Sequence, residues 1–171
     1  MTDALILAEG YPLVHALIYR VLGLNKLGMK RYSEAEEYFR KALSFSEHSE
    51  LLVGAKTSYN LSNVLFHQGK QDEALKLFES ARARIHDYQN KEYGARCMST
   101  DGLFVSRDYT KVDKAIELLN QIGMDFELAE IAEEASNFAE KEGNNVLALK
   151  YMKSANKARL YQSALGGDQQ C

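Results

Sequence analysis

A repeated spacing of small and apolar residues constrains the fold of this chain more than any other feature. Four segments carry a small residue followed four and seven positions later by apolar or small residues. They are Ala35/Phe39/Ala42, Ala74/Phe78/Ala81, Ala115/Leu119/Ile122 and Ala148/Met152/Ala155. Spacings of four and seven place all three side chains on one face of a helix. The leading alanines follow one another after 39, 41 and 33 residues, which is room for two helices and a turn in each unit.

A second helical segment and a short polar break precede each repeated motif. The pattern predicts helices over residues 12–27, 33–48, 50–68, 71–88, 91–107, 110–122, 126–142 and 145–163. Glycine in the breaks, as at Gly69 and Gly143, suits the left-handed backbone of a helix end. One helix–turn–helix unit cannot bury its apolar face alone, so successive units stack. The sequence therefore predicts an all-α fold, with a single repeat domain over residues 1–165 and a polar, flexible tail over 166–171.

These units resemble the tetratricopeptide repeat. The resemblance is carried in the first unit by Leu22-Gly23, Tyr32, Ala35, Phe39 and Ala42, and in the second by Leu61-Ser62, Gly69, Ala74, Phe78 and Ala81. The third unit departs from the family pattern, with Gly102-Leu103 inverted and Asp108 where a small residue is usual. The resemblance implies a right-handed superhelix of about four stacked repeats.

The long repeat spacing also resembles one group of bacterial regulators, the Rap–PlcR–NprR type. The segment from Asp113 to Arg159 is most similar to their repeat domains, which bind short secreted signalling peptides after re-import. Those regulators carry an effector module before the repeats, whereas the repeats here begin by residue 12, so we expect no such module in this chain. The resemblance therefore implies peptide binding in a quorum-sensing context.

Charge and composition exclude several other classes of protein. The formal net charge is −3 and the pI is near 5.8, which argues against a general nucleic-acid or anionic-membrane binder. The most apolar longer stretch, 13–27, is interrupted by His15, Arg20 and Lys26, and no export signal precedes it. With only Cys97 and Cys171 and no signal for export, a disulfide is unsupported, and we expect a cytoplasmic protein.

The pattern of polar residues gives no indication of catalysis. The four histidines do not pair at metal-ligand spacing, and no cysteine or carboxylate cluster joins them. Three carboxylate pairs, Glu36/Glu37, Glu127/Glu130 and Glu133/Glu134, are expected on solvated helix faces. We therefore expect no enzyme activity, no metal and no cofactor.

The sequence supports ligand binding better than catalysis, in a concave groove lined by the first helix of each unit. The candidate peptide-binding residues are Arg20, Lys56, Tyr59, Asn60, Asn63 and Arg96. Arginine and lysine bind carboxylates, asparagine can donate to and accept from an extended peptide backbone, and tyrosine can pocket a side chain. The resemblance to peptide-binding tetratricopeptide repeats implies that Asn60 holds the ligand backbone. The expected ligand is a short linear peptide or a segment of a protein partner.

The alternative hypothesis is a structural scaffold that assembles through its terminal helices. Apolar residues near the two ends could be unsatisfied stacking faces, because a repeat array needs polar caps to stay soluble. They are Leu5, Ile6 and Leu7 at one end and Leu160, Tyr161 and Leu165 at the other. This hypothesis predicts a homo-oligomer, or a pair with another repeat protein.

Overall fold

The computed structural model describes residues 11–46 and 52–167, with side chains described as far as residue 161. Over these residues the chain forms eight α-helices and a π-helical turn, and no strand. The helices are α1 (Pro12–Gly28), α2 (Tyr32–Ser46), α3 (Leu52–His67), α4 (Gln71–Asp87), α5 (Lys91–Thr100), α6 (Tyr109–Gln121), α7 (Asp125–Lys141) and α8 (Asn145–Gly167). The predicted all-α fold is confirmed. None of these helices combines the length and apolarity that crossing a bilayer requires.

Most predicted helix bounds lie within two residues of the observed ones. Two helix ends are exceptions: α5 ends at Thr100 instead of residue 107, and α8 continues to Gly167 and so includes the first two residues of the predicted tail. Residues 168–171 lie outside the described residues, as do Leu5, Ile6 and Leu7 of the predicted N-terminal stacking face.

The chain divides into two compact units, of which the first ends at Gln89 and the second begins at Asn90. In the first unit, α1 packs on α2 and α3 packs on α4, while α2 and α3 join the two pairs. The alanine and phenylalanine motifs of the first two repeats form its core, and all six side chains are fully buried: Ala35, Phe39, Ala42, Ala74, Phe78 and Ala81. The helix–turn–helix repeat predicted from their spacing is therefore confirmed in this unit.

Glycines end helices as the sequence predicts. Gly69 follows α3 with φ +76° and Gly143 follows α7 with φ +75°, both in the left-handed region. The Gly69 and Lys70 amides donate to the carbonyls of Phe66 and Leu65, which satisfies the last turn of α3. Each repeat therefore turns within three residues.

The second unit contains α5 to α8, and α7 packs on both α6 and α8. Its core joins Ala115 and Leu119 of α6 to Ala132 and Ala135 of α7 and to Tyr151 of α8. The expected packing role of Met152 is wrong, since its side chain is exposed. The buried face of α8 instead contains Tyr151, Ala155 and Ala158, and position 152 lies about 100° around the helix from Tyr151.

The third repeat contains a π-helical turn where the sequence predicted a continuous helix to residue 107. This turn spans Asp101–Val105, and the Ser106 amide donates to the Asp101 carbonyl at 2.8 Å. Gly102 has no side chain at the point where this turn meets the start of α6, and a Cβ atom there would lie 2.7 Å from the Asp108 carbonyl oxygen. The inverted Gly102-Leu103 pair is thus explained by a close backbone approach.

Candidate functional site

Several polar residues that are buried or half-buried lie on one face of α3. This helix is buried over most of its surface, and its half-buried polar residues Lys56, Asn63 and His67 follow a spacing of seven and four. That spacing places them along one face. Asn60 lies on the same face, between Lys56 and Asn63. We call Lys56, Asn60 and Asn63 the polar stripe.

Asn60 is the unusual member of the polar stripe. Its side chain is only 4% exposed, and its amide nitrogen Nδ2 has no hydrogen-bond partner in the described part of the chain. A buried donor without a partner costs free energy, because it has lost its hydrogen bonds to water. Most buried polar groups in native proteins are paired, so an unpaired one calls for an explanation such as a missing ligand or water.

Two further predicted residues lie in the same unit. Tyr59 is adjacent to Asn60 on α3, and its ring is buried. Arg20 lies on α1, which contacts α3 directly, and its side chain is half-buried. The fold therefore brings five of the six predicted binding residues into one unit, on two helices that touch.

The sixth predicted residue, Arg96, belongs to the second unit and is already surrounded by carboxylates. Its guanidinium donates to Glu130 of α7 at 3.0 Å. Its other carboxylate contacts are Glu92 of α5 at 3.4 Å and Glu127 of α7 at 3.9 Å. Arg96 therefore ties α5 to α7 within the second unit.

Sequence reasoning missed the carboxylates around Arg96. Glu127 was expected on a solvated face, but its side chain is only 18% exposed and faces Arg96. Arg96 and Glu130 are separated by 34 residues, which is about one repeat. The repeat length was therefore the signal that could have paired them.

Glu36 also departs from the expected solvated face. Its side chain is mostly buried and accepts hydrogen bonds from Arg40 at 2.8 Å and Lys70 at 2.8 Å. Burial alone would raise the pKa of Glu36, but the hydrogen bonds from Lys70, Arg40 and Gln68 outweigh it, so the pKa is lowered. This carboxylate connects α2 to the turn before α4 and has a structural role.

Two of the histidines in the described ranges stack on aromatic rings. The rings of His15 and Phe45 stack at 4.9 Å, and those of His67 and Tyr32 at 4.8 Å. Within 11–46 and 52–161, no group of three or more histidine, cysteine, aspartate or glutamate side chains is arranged to hold a metal ion. His48 lies outside the described residues.

Comparison with known families and proteins agrees with this geometry. The tetratricopeptide-repeat family matches residues 16–49 and 55–86, which are the first two helix pairs. The type II methyltransferase M.CeqI of Rhodococcus hoagii is 34% identical over 98% of the chain and 33% of its own length. Response regulator aspartate phosphatase I of Bacillus subtilis is 26% identical over 84% of the chain and 37% of its own length. The chain thus spans about a third of each of these relatives.

Solved structures with the same fold include two Rap proteins. The apo form of RapI superposes with a TM-score of 0.87 at 22% identity, covering 95% of this chain and 61% of RapI. The Rap conjugation gene regulator of plasmid pLS20, in complex with the Phr* peptide, superposes with a TM-score of 0.85 at 26% identity, covering 93% and 44%. The first two helix pairs therefore match the tetratricopeptide-repeat family, and the chain has the same helical-repeat fold as these Rap proteins.

Proposed function

We propose that this chain is a non-catalytic, cytoplasmic peptide receptor that holds a short extended peptide against the polar stripe of α3. The observation that carries the proposal is the buried Asn60 amide, whose Nδ2 atom has no hydrogen-bond partner in the described residues. An extended peptide presents a carbonyl oxygen that can accept this hydrogen bond. Peptide binding then relieves a cost that the free protein carries.

The residues beside Asn60 supply the other contacts that a peptide needs. Asn63 lies one turn further along α3 and can donate to and accept from the ligand backbone. Lys56 lies one turn earlier and is half-buried, so its long side chain can move to admit the ligand and then bind a carboxylate. Arg20 of the adjacent α1 provides a second cation in the same unit. These side chains fit a linear peptide that has a free carboxylate.

The relatives support a peptide ligand over other ligand classes. The pLS20 Rap regulator, whose structure matches 93% of this chain and which is matched over 44% of its own length, was solved with the Phr* peptide bound. By analogy, this domain is the sensing part of a bacterial quorum-sensing regulator. A methyltransferase and a phosphatase are named among the relatives, but this chain spans about a third of each, and we propose that the shared part binds and does not catalyse.

Arg96 has a weaker place in this proposal than the residues of the first unit. A ligand carboxylate at Arg96 would compete with Glu130, which already accepts from the guanidinium at 3.0 Å. We therefore assign peptide contacts first to Lys56, Asn60, Asn63 and Arg20, with Tyr59 supporting the stripe from within the core.

The test is capture of peptides from the small-peptide fraction of the host's cytosol. The purified chain is incubated with that fraction and washed, and the retained peptides are identified by mass spectrometry. Each is then synthesised and titrated by calorimetry, as the free acid and as the C-terminal amide. The variants are Asn60→Ala, Lys56→Ala and, as a matched control, Asn120→Ala, which removes an exposed asparagine of α6.

We expect a peptide that binds the wild type and the Asn120 control but is lost from Asn60→Ala. We also expect amidation of the peptide to weaken its binding to the wild type more than its binding to Lys56→Ala. The variant already lacks the Lys56 ammonium that would pair with the peptide's C-terminal carboxylate. Retention of peptides that is indifferent to Asn60 would disprove the assignment of the polar stripe.

A further inference from the structure

Helix α8 has an exposed face that is apolar and positively charged. Val146, Leu149 and Leu160 are 85%, 55% and 70% exposed. Their spacing, together with Lys153 and Asn156, places them along one face of the helix. The opposite face contains Tyr151, Ala155 and Ala158 and is buried in the second unit. Large apolar side chains grouped on one exposed face indicate a contact surface.

The charge of α8 limits what can cover this face. The helix carries Lys150, Lys153, Lys157 and Arg159 and no aspartate or glutamate. Lys150 pairs with Asp113 at 2.6 Å, and Arg159 pairs with Glu133. In the part of the chain that the structure describes, no carboxylate lies within ion-pair distance of Lys153 or Lys157. Lys157 lies over the Tyr161 ring, 5.9 Å from its centroid. The outer face is therefore apolar with two cations that have no carboxylate partner among the described residues.

Corresponding helices of successive repeats in this chain are paired by opposite charges. Ion pairs join corresponding helices of successive repeats, at separations of 33 to 37 residues. They are Arg40–Glu73, Arg96–Glu130 and Asp113–Lys150. In each pair one of the two helices supplies the cation and the other supplies the carboxylate. A helix that packs on the outer face of α8 by the same rule carries carboxylates toward Lys153 and Lys157.

We propose that the outer face of α8, defined by Val146, Leu149, Lys153, Lys157 and Leu160, binds an amphipathic helix of a partner protein with carboxylates flanking its apolar stripe. A second copy of this chain fits poorly. Two α8 faces would bring like charges together, and the other described helix with an exposed apolar stripe, α1, contains no aspartate or glutamate. Charge complementarity therefore favours an acidic partner helix.

The test uses two stapled helical peptides as probes. Both carry leucines at alternating three- and four-residue spacing, and the flanking positions are glutamate in one probe and lysine in the other. Binding to the full chain is measured by fluorescence anisotropy, at low and at physiological salt. The variants are the double change Lys153→Glu with Lys157→Glu, the single change Leu149→Asp, and the control Lys91→Glu with Lys114→Glu, which reverses two exposed lysines elsewhere in the second unit.

We expect the glutamate probe to bind at least about tenfold more tightly than the lysine probe, with the difference reduced by salt. The Lys153/Lys157 variant reverses this order, Leu149→Asp weakens both probes, and the control pair leaves the preference unchanged. Circular dichroism establishes that each variant is folded.

Equal binding of the two probes, or an unchanged preference in the Lys153/Lys157 variant, would overturn the proposal. A concentration-dependent dimer dissociated by Leu149→Asp would show that a second copy covers the face. Binding to phosphatidylglycerol vesicles without binding of the glutamate probe would assign the face to a membrane. Each result is independent of peptide capture by Asn60, because α8 and α3 lie in different units.

Discussion

The ring of Phe39 lies so close to Gly23 that a Cβ atom on the glycine would come 2.6 Å from the Cε1 atom of the ring. Gly23 lies on α1 and Phe39 on α2, and both are buried. The missing side chain therefore sets how closely the two helices of the first repeat approach. This contact explains why the tetratricopeptide pattern has a small residue at this position.

Gly23→Ala should lower the free energy of unfolding by about 1–3 kcal/mol, because the buried Phe39 ring must shift to admit the methyl group. The measurement is urea unfolding followed by circular dichroism. Gly94→Ala is the control, since a Cβ atom on this glycine of α5 has no neighbour within 4 Å. That change should raise stability by up to about 1 kcal/mol through helix propensity alone. Equal losses at both glycines would contradict the packing argument.

Tyr151→Phe should lower stability by about 1 kcal/mol. The buried Tyr151 hydroxyl donates to the Asp113 carboxylate at 3.0 Å and lies 3.3 Å from the Tyr109 carbonyl oxygen, so the change removes these polar contacts and keeps the ring. Thermal unfolding checks the loss. Tyr161→Phe, on the exposed part of the same helix, should leave the unfolding temperature unchanged within error.

The repeat pattern predicted the helices better than it predicted the polar contacts. Positions such as Ala35 and Phe39 could be assigned because a helix fixes which of its own residues share a face. Tyr151 and Asp113 lie on different helices, and Tyr109 of α6 pairs with Glu142, the residue directly after α7. Both pairings depend on how the helices stack. The π-helical turn was missed for a related reason, since Gly102 reports a close backbone approach only when α6 is in place.

Stability should fall as the pH rises from 10 to about 12. Tyr109 is partly buried and donates a hydrogen bond to Glu142 at 2.7 Å. Burial, and then the hydrogen bond to Glu142 and its negative charge, raise the pKa of Tyr109 from 10.0 to about 12. In this window the unfolded chain loses the phenol proton while the folded protein keeps it, so ionisation favours unfolding.

Tyr109→Phe should therefore make the decline in unfolding free energy between pH 10 and about 12 less steep. The comparison is urea unfolding of wild type and variant across this range, with phenolate absorbance followed in parallel. Tyr88→Phe, at an exposed position after α4, serves as the control and should leave the slope unchanged. An identical slope in Tyr109→Phe would show that other groups cause the alkaline loss.

Arg96 and Glu130 should be energetically coupled by about 0.5–1 kcal/mol. Their side chains meet at 3.0 Å and join α5 to α7, with Glu92 and Glu127 adding to the field around the guanidinium. A double-mutant cycle of Arg96→Gln and Glu130→Gln measures the coupling. The exposed Arg82–Glu79 pair lies within one helix and should give a smaller value. A zero coupling at Arg96 would mean that Glu92 and Glu127 fully replace Glu130.

Asn60→Leu should separate binding from stability. The change removes a buried amide donor that has no partner in the described residues and puts a branched apolar side chain with the same number of non-hydrogen atoms in its place. The free energy of unfolding without peptide should stay the same or rise by about 1 kcal/mol, because the cost of the unpaired donor is gone. Peptide capture should be lost in the same variant. The exposed control Asn120→Leu should keep both properties.

The two readouts together decide what Asn60 is for. An asparagine retained for the core would lose stability on replacement, because its hydrogen bonds would hold the fold together in the absence of ligand. An asparagine retained for a ligand is a cost to the free protein, which is recovered when the peptide carbonyl accepts from Nδ2. A loss of more than about 1 kcal/mol in Asn60→Leu, measured by urea unfolding without peptide, would therefore assign Asn60 to the fold.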